Sequence, residues 1–219
     1  MQNNNYDLII FDWDGTLANS TQLIIDAICK GSVDVGLPEP TQEAASSIIG
    51  LGFREATYDL FGHIPDTKLS ELTARYSHYY GLGEDHIPLF DGVPEAIAHL
   101  TEKGVPLAVA TGKGRRGLNK ALANSGIAHY FIATRCVDEC HSKPHPQMIL
   151  DLMSEVAATP ERTLMIGDTS FDLQMAKNAN VASLGVTYGA HSLERLLPHA
   201  PLAHFEKFTD LSSWLKIHL

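Results

Sequence analysis

The sequence predicts an α/β fold in which a parallel sheet is interrupted, after its first strand, by a segment made only of helices. Short apolar runs recur along the chain with helical or loop sequence between them, the order that builds a parallel sheet. Residues 19–85 break this rhythm, because they contain several helical patterns and no strand-like run. We therefore expect a sheet of about five strands that carries an all-helical insert.

Apolar runs predict the strands of this sheet. The first run ends abruptly at Asp12 and consists of consecutive apolar residues, as in a strand that is buried on both faces. The later runs have a similar length and are bounded by polar or turn residues. The five predicted strands are residues 6–12, 106–111, 130–134, 163–167 and 182–186.

Helical patterns lie between the later strands. Gly104 and Gly126 follow two of them, where C-terminal helix caps are expected. The four predicted helices are residues 93–103, 116–125, 146–157 and 171–178.

The insert predicts two or three helices. Apolar residues between positions 23 and 28 recur at helical spacing, and Asp66 precedes a long helical segment that ends near Tyr80. We expect a core domain of residues 1–18 and 86–219 and a helical cap of residues 19–85.

The charge and the cysteines limit the classes of function. A net charge of −10 argues against nucleic acid or an anionic membrane as a partner, because both bind clustered Lys and Arg. Cys29, Cys136 and Cys140 are too few and odd in number for a disulfide framework. The polar start and the short first apolar run predict neither an export signal nor a membrane span. We expect a cytoplasmic protein.

Two carboxylates follow the first predicted strand. Asp12 and Asp14 are separated by one residue, so both can reach one point beyond the sheet edge. Mg²⁺ is commonly bound by one or two carboxylates together with substrate phosphate oxygens, and open α/β sheets bind ligands at this edge. The alternative to a metal site is an ordinary turn formed by the Asp14-Gly15 pair.

Residues that can bind a phosphate group follow later strands. The Thr111 hydroxyl and the Gly112 amide could donate hydrogen bonds to a phosphoryl oxygen, and Lys143, in the phrase SKPHP, could supply a fixed positive charge. A plain strand end and a solvated surface lysine are the alternatives.

A second apolar run is also followed directly by an aspartate. Asp168 follows the predicted strand at residues 163–167, and Asp172 lies four residues later. Asp172 could orient a ligand of a metal site, or it could be an acid that stabilises the start of a helix.

These phrases together resemble the motifs of the haloacid dehalogenase superfamily, in the subfamily that includes phosphoglycolate phosphatases. The resemblance rests on FDWDGTL at residues 11–17, on Thr111, on the Lys-Pro-x-Pro phrase at Lys143, and on LMIGDTSFD at residues 164–172. It covers nearly the whole chain. One departure is Asn19, where the family often has Asp before the serine.

The resemblance implies a Rossmann-like core with a helical cap and a Mg²⁺-dependent phosphatase. Asp12 would become an aspartyl phosphate, and Asp14 would act as acid and then as base. Dehalogenases and phosphonatases of the superfamily lack this second aspartate. Mg²⁺ would be held by Asp12, Asp168 and the backbone carbonyl of Asp14, with Asp172 behind them.

The resemblance leaves the substrate open. We expect a small phosphorylated molecule as the partner and a monomer or a homodimer as the assembly. Arg54, in the part of the insert that reaches over the site in relatives, could grip a carboxylate or a second phosphate of the substrate, or it could be an ordinary surface residue beside Glu55. A sugar-phosphate mutase or a pyrophosphatase of the same superfamily would share the core residues.

The sequence also contains patterns that could indicate a dinucleotide-binding site or a zinc site. Gly112, Gly114 and Gly117 satisfy the G-x-G-x-x-G pattern of dinucleotide-binding proteins, and Asp138 lies near the expected position of the ribose-binding acid. A dinucleotide site leaves the aspartates and Lys143 unexplained. A phospho-acceptor receiver domain also uses acids at strand ends, a Thr and a Lys, but it lacks a helical insert. The cluster of Cys136, Cys140, His141 and His145 matches no common zinc spacing, so ordinary core and loop roles are expected.

Overall fold

A parallel sheet organises the structure, a computed structural model that describes residues 5–218. Within these residues the sheet has six strands in the order β3-β2-β1-β4-β5-β6, and every neighbouring pair is parallel. The predicted fold class is confirmed. The strands are β1 (Leu8–Phe11), β2 (Leu107–Thr111), β3 (Phe131–Cys136), β4 (Thr163–Gly167), β5 (Ala182–Val186) and β6 (Ala203–Phe205).

The sixth strand corrects the expected number of strands. β6 has three residues, and none of them is fully buried. It lies at the edge of the sheet beside β5. Because the run is short and only half-buried, it gives no apolar pattern that could be recognised in the sequence.

Ten α-helices accompany the sheet between residues 5 and 218. Their bounds are α1 (Thr21–Asp34), α2 (Gln42–Ser47), α3 (Phe53–Phe61), α4 (Asp66–Gly81), α5 (Val93–Glu102), α6 (Arg115–Ser125), α7 (Gln147–Val156), α8 (Ser170–Asn178), α9 (Leu193–Leu196) and α10 (Phe208–His218). Gly104 and Gly126 both have positive φ angles after their helices, as expected of C-terminal caps.

The first strand shows why the sheet is buried on both faces. Leu8 and Ile10 belong to one apolar cluster, whereas Ile9 and Phe11 belong to another. Alternate side chains of a strand point to opposite faces, so β1 contributes to a core layer on each side. All four residues are fully buried.

The insert has four helices rather than two or three, and they form an apolar cluster of their own. Ile28 of α1 and Leu72 of α4 are buried in it. The additional helix is α2, a six-residue helix that begins where the Thr41 side chain accepts a hydrogen bond from the Ala44 amide. We call helices α1 to α4 the cap. The division into domains at residues 18 and 86 stays a prediction, and residues 1–4 and 219 lie outside the described part of the chain.

The strand order places one edge of the sheet where a ligand is expected. The chain leaves β1 for the cap before it returns through β2 on one side, and β4 lies on the other side of β1. Ligands of open α/β sheets bind beyond the carboxyl ends of the strands where the order reverses. None of the helices described for residues 5–218 has the length and apolar character needed to cross a membrane.

We predict that Leu72→Ala lowers the free energy of unfolding by about 2–5 kcal/mol, because it opens a cavity in the cap cluster. The matched control is Leu82→Ala at the end of α4, where the side chain is 70% exposed, and its effect should stay within about 0.5 kcal/mol. Urea denaturation measures both. Equal stability of the two variants would contradict the packing described for the cap.

Candidate active site

The carboxyl ends of β1, β2 and β4 bring three predicted residues to one edge of the sheet. Asp12 follows β1, Thr111 is the last residue of β2, and Asp168 follows β4. All three side chains are buried. Lys143 reaches the same place from the loop between β3 and α7.

Lys143 joins two of the aspartates. Its ammonium Nζ lies 2.7 Å from Asp12 Oδ1 and 2.6 Å from Asp172 Oδ1, with all three side chains buried. Burial alone would lower the pKa of Lys143, but the two carboxylates raise it above its ordinary value. The lysine is therefore charged, and it is not the solvated surface residue that was the alternative.

Asp172 stabilises the start of a helix and also contacts Lys143, whereas its expected role beside a metal ligand stays a prediction. One of its oxygens binds Lys143, and the other accepts hydrogen bonds from the Thr169 amide at 3.0 Å and the Thr169 hydroxyl at 2.6 Å. This forms a capping box at the start of α8. The same carboxylate therefore begins the helix and positions the lysine.

The carboxylate of Asp168 is fixed by close backbone contacts. It accepts hydrogen bonds from the Ala190 amide at 2.7 Å and from the Thr16 hydroxyl at 2.9 Å. Gly15 has a φ of +83°, and a Cβ atom there would lie 2.2 Å from Asp168 Oδ2. Only glycine fits at this position. The chain also turns here, since the Thr16 and Leu17 amides donate hydrogen bonds to the Trp13 carbonyl at 3.4 and 3.0 Å, so the Asp-Gly pair is both a turn and a close contact of the site.

The buried carboxylates have the composition of a site for a hard divalent cation. Oxygen atoms of Asp12, Asp168 and Asp172 lie within 4.8 Å of one another. The Lys143 ammonium contacts Asp12 and Asp172 and offsets one negative charge, so two remain in excess when all three acids are ionised. Asp12 Oδ2 is buried and has no hydrogen-bond partner among residues 5–218. An oxygen-rich set with an unpaired oxygen and excess negative charge fits Mg²⁺.

The pKa values of the same acids reflect their burial. Burial raises the pKa of Asp12 to about 7, against the attraction of Lys143 and with repulsion from Asp172. Burial and repulsion from Asp12 likewise raise the pKa of Asp168 well above its usual range. Bringing a cation to these carboxylates would favour their ionised forms.

Asp14 is held in a different way from the three clustered acids. Its Oδ1 accepts a hydrogen bond from the Ser20 hydroxyl at 2.7 Å, and its Oδ2 lies 3.0 Å from the Nζ of Lys113. Lys113 also donates to the Tyr80 hydroxyl at 3.0 Å. The Asp14 carboxylate therefore has its own cation and is not a member of the cluster. The role of its backbone carbonyl as a ligand stays a prediction.

The sequence did not predict the contacts that Lys113 and Tyr80 make at this site. The Lys113 side chain is only 9% exposed. Burial acts to lower its pKa, but the charge of Asp14 raises it above its ordinary value. The position of Lys113 directly after Thr111 and Gly112 was the one feature of the sequence that could have indicated a place for Lys113 in the site. Tyr80 belongs to α4 of the cap, and no local pattern indicates that it meets this lysine.

The cap lies directly on the loop after β2. The Thr111 hydroxyl accepts a hydrogen bond from the Lys113 amide at 3.2 Å. A Cβ atom at Gly112 would lie 2.4 Å from the carbonyl oxygen of Gly50 and 2.8 Å from that of Leu51. Glycine is therefore required at position 112 for this close approach, whatever its amide binds.

A buried histidine, also missed, joins the core to the cap. Burial lowers the pKa of His191 to about 4, so the ring is neutral. Its Nδ1 accepts a hydrogen bond from the Ser170 amide at 2.9 Å, which leaves Nε2 to donate to the carbonyl of Ser47 at 3.1 Å. Ser46 donates to the Ala190 carbonyl at 2.7 Å beside it. The start of α8 is thus tied to the end of α2.

Arg54 is not brought to this site. Its side chain is 71% exposed and pairs with Asp66 at 3.0 Å. It does not line the cavity between the cap and the core, although its neighbours Phe53 and Ala56 do. Arg54 lies on the outer face of α3, so a role in gripping the substrate finds no support in its position.

The glycine pattern at residues 112–117 does not form a dinucleotide site. The Asp138 carboxylate accepts hydrogen bonds from the Arg115 amide at 2.9 and 3.1 Å, so it occupies the helix start where a pyrophosphate would bind. The backbone of residues 50 and 51 covers Gly112. The predicted ribose-binding acid is therefore a helix cap of α6.

The cysteine and histidine residues near the end of β3 show no sign of a metal site. Cys136 and Cys140 are free thiols, and burial raises their pKa values to about 12 and about 11. The rings of His141 and His145 contact each other with centroids 4.5 Å apart. Among the residues described, the aspartate trio is the group of possible ligands that lies close enough to share an ion.

Comparison with known proteins identifies the family to which this site belongs. The family model described as haloacid dehalogenase-like hydrolase matches residues 9–186. The chain belongs to this family. It is 33% identical to probable phosphatase IndB of Dickeya dadantii, over 93% of the chain and 91% of that protein. It is 30% identical to pyrophosphatase PpaX of Anoxybacillus flavithermus, over 97% and 98%.

A solved structure agrees with this assignment. The crystal structure of a predicted phosphoglycolate phosphatase from Haemophilus somnus superposes with a TM-score of 0.84 at 27% identity, over 99% of this chain and all of that one. The resemblance inferred from the motifs is confirmed. This haloacid dehalogenase-like hydrolase is an enzyme of the phosphatase type.

We predict that Lys113 and Asp14 are energetically coupled. Lys113→Met should lower the free energy of unfolding by about 3–5 kcal/mol, because it leaves the Asp14 carboxylate nearly buried without a cation. Combining Lys113→Met with Asp14→Asn should cost less than the sum of the two single changes, by about 1–3 kcal/mol.

Chemical denaturation of the three variants measures this coupling. The matched control is Lys120→Met, since Lys120 pairs with Glu84 at a side-chain exposure of 43% and its loss should cost about 0–1 kcal/mol. Strict additivity of the Lys113 and Asp14 changes would show that the pair is not coupled.

Proposed function

We propose that this haloacid dehalogenase-like hydrolase is a Mg²⁺-dependent phosphatase that hydrolyses a small phosphate monoester through a phosphorylated Asp12. The observation that carries the proposal is the environment of Asp12. Its carboxylate is buried, one oxygen is held by Lys143 at 2.7 Å, and the other oxygen has no partner among the described residues. Such a carboxylate is oriented and has an oxygen free for chemistry.

The first step is attack by the Asp12 carboxylate on phosphorus. A bond forms between a carboxylate oxygen and phosphorus, and the bond from phosphorus to the ester oxygen breaks. Asp14, on the same edge of the sheet and protonated when the ester binds, gives its proton to the departing alkoxide. Covalent catalysis of this kind replaces one difficult displacement by two easier ones.

The second step releases phosphate. Asp14, now ionised, takes a proton from a water molecule, and the oxygen of that water attacks phosphorus. The bond between phosphorus and Asp12 breaks, which restores the carboxylate and yields inorganic phosphate. Ser20 and Lys113 hold the Asp14 carboxylate at 2.7 and 3.0 Å, so its position is retained between the two steps.

The cation would be held by carboxylates of the cluster. Asp12 and Asp168, with the backbone carbonyl of Asp14, are the proposed ligands, and Asp172 orients Lys143 behind them. When bound, Mg²⁺ neutralises charge on the phosphoryl oxygens and aligns the ester for displacement. The Thr111 hydroxyl and the Gly112 amide are proposed to bind another phosphoryl oxygen. A cytoplasmic location belongs to the same proposal.

The relatives suggest two substrates that the test has to include. One relative at 30% identity is named a pyrophosphatase, and one solved structure at 27% identity is described as a predicted phosphoglycolate phosphatase. A sugar-phosphate mutase would use the same core residues but would return phosphate to a sugar. Rapid release of inorganic phosphate distinguishes hydrolysis from that transfer.

We predict that Asp12→Asn lowers kcat by at least about a thousandfold on every phosphate ester that the wild type hydrolyses with Mg²⁺. The amide cannot serve as the nucleophile. The protein should still fold, since Lys143 retains Asp172 as a partner. Phosphate release and a urea unfolding curve are measured on the same preparation. Undiminished turnover by the folded variant would refute the role of Asp12.

We also predict that variants of Asp168 and Asp14 distinguish binding of the cation from catalysis. Asp168→Asn should weaken Mg²⁺ binding at least about tenfold, whereas Asp14→Asn should leave it within about threefold, because the Asp14 carboxylate is bound to Ser20 and Lys113. Both variants should lose turnover. Calorimetric titration with Mg²⁺ gives the affinities, and equal loss of binding in the two variants would contradict the proposed ligand set.

A further inference from the structure

A cavity adjoins the proposed phosphoryl site, and its size indicates the size of the substrate. The cavity measures about 470 Å³, and Asp12, Asp14 and Thr111 contribute to its lining. Clefts of roughly 300–1,000 Å³ hold ligands of the size of a drug molecule. A short ester such as phosphoglycolate would leave much of this space unfilled.

Most of the lining that comes from the cap is apolar. The side chains from α1, the turn after α2, and α3 offer no hydrogen-bonding group, whereas α4 contributes the hydroxyl groups of Tyr76, Ser77 and Tyr80. A carbon-rich group buried against the apolar side chains gains hydrophobic free energy, whereas the hydroxyl groups of a sugar would lose hydrogen bonds to water. The seven apolar residues are Ile24, Ile28, Ile48, Ile49, Leu51, Phe53 and Ala56.

Aromatic rings form another part of the same wall. The rings of Tyr76 and Tyr80 are stacked, with centroids 5.7 Å apart and an angle of 21° between their planes. The ring of Phe53 lies 5.0 Å from that of Tyr76. All three residues line the cavity. A row of rings is suited to contact with another ring, by stacking or by its edge.

The charges of the lining argue against a second anionic group on the substrate. Lys113 is the buried cation of the lining, and its ammonium is already held by Asp14 and Tyr80. The other two cations that contribute, Arg116 and Lys120, are exposed to solvent. Lys120 also pairs with Glu84. A carboxylate or a second phosphate that did not reach the exposed Arg116 would therefore be desolvated without a free cation.

We infer that the substrate is a phosphate monoester whose leaving group is uncharged and bears an apolar ring. The phosphoryl group would lie at the carboxylates and Lys143, and the ring would lie against the cap. This inference rests on the proposed function, because it assigns the cavity to the leaving group of the same reaction. Specificity would then come from the apolar residues of the cap and not from Arg54.

Turnover of a small panel tests the inference in the wild-type protein with Mg²⁺. We expect kcat/KM for benzyl phosphate to exceed that for ethyl phosphate and for phosphoglycolate by at least about tenfold. Glucose 6-phosphate and pyrophosphate complete the panel, with phosphate release as the readout. A preference for phosphoglycolate, pyrophosphate or glucose 6-phosphate over benzyl phosphate would overturn the inference.

Binding of phosphonates separates this inference from the proposed function, because phosphonates are not hydrolysed by the proposed steps. In calorimetric titrations with Mg²⁺ present, benzylphosphonate should bind at least about tenfold more tightly than ethylphosphonate. If no ester of the panel is hydrolysed, the proposed function fails, and the binding ratio still decides on the cavity. Equal affinity for the two phosphonates would overturn the assignment of the ring to the cavity.

Filling the cavity supplies a matched pair of variants. Ala56→Phe should lower the ratio of benzyl to ethyl phosphate turnover at least about tenfold, because Ala56 is buried and lines the cavity. The control is Asp59→Phe on the exposed side of the same helix, which should leave the ratio unchanged. Ala56→Leu provides a smaller addition if phenylalanine prevents folding. An unchanged ratio in a folded Ala56 variant would contradict the inference.

Discussion

The contact between Lys143 and two buried aspartates is the interaction on which the site depends. Lys143 binds Asp12 at the end of β1 and Asp172 at the start of α8, at 2.7 and 2.6 Å. Removing a lysine from water is costly unless its partners are well placed. Asp172 is placed by the capping box of α8, and Asp12 is placed by a strand that is buried on both faces. The start of α8 and the end of β1 thus both position the Lys143 ammonium.

Charge balance distinguishes the two functions of the aspartates. Asp14 has its own cation in Lys113, which is held in turn by Tyr80 of the cap. Asp12 and Asp172 share Lys143, and together with Asp168 they carry an excess of negative charge when all three are ionised, which suits a divalent cation. The carboxylate proposed as acid and base is therefore separate from the carboxylates proposed to hold the metal, although all lie at one edge of the sheet. The hydrogen bond from Lys113 to Tyr80 also links Asp14 to the cap, whose residues line the adjoining cavity.

Residues at strand ends could be predicted from the sequence, and contacts between distant segments could not. Asp12, Thr111 and Asp168 each follow or end an apolar run, and parallel strands bring such positions together. Lys113 meets Tyr80 only because α4 packs over the loop after β2, and His191 meets Ser47 for the same kind of reason. Arg54 shows the converse limit, since the sequence does not tell which face of α3 is turned to the cavity. The edge strand β6 and helix α2 were too short to give a pattern.

The covalent role of Asp12 is the central claim, and detection of the phosphorylated enzyme tests it most directly. Wild-type protein would be mixed with a hydrolysed phosphate ester and Mg²⁺, quenched with acid within the first turnover, digested and analysed by mass spectrometry. We predict a phosphoryl group on the peptide that contains Asp12, lost again as inorganic phosphate is released. Phosphate release over repeated quench times without phosphorylation of Asp12 would contradict the account.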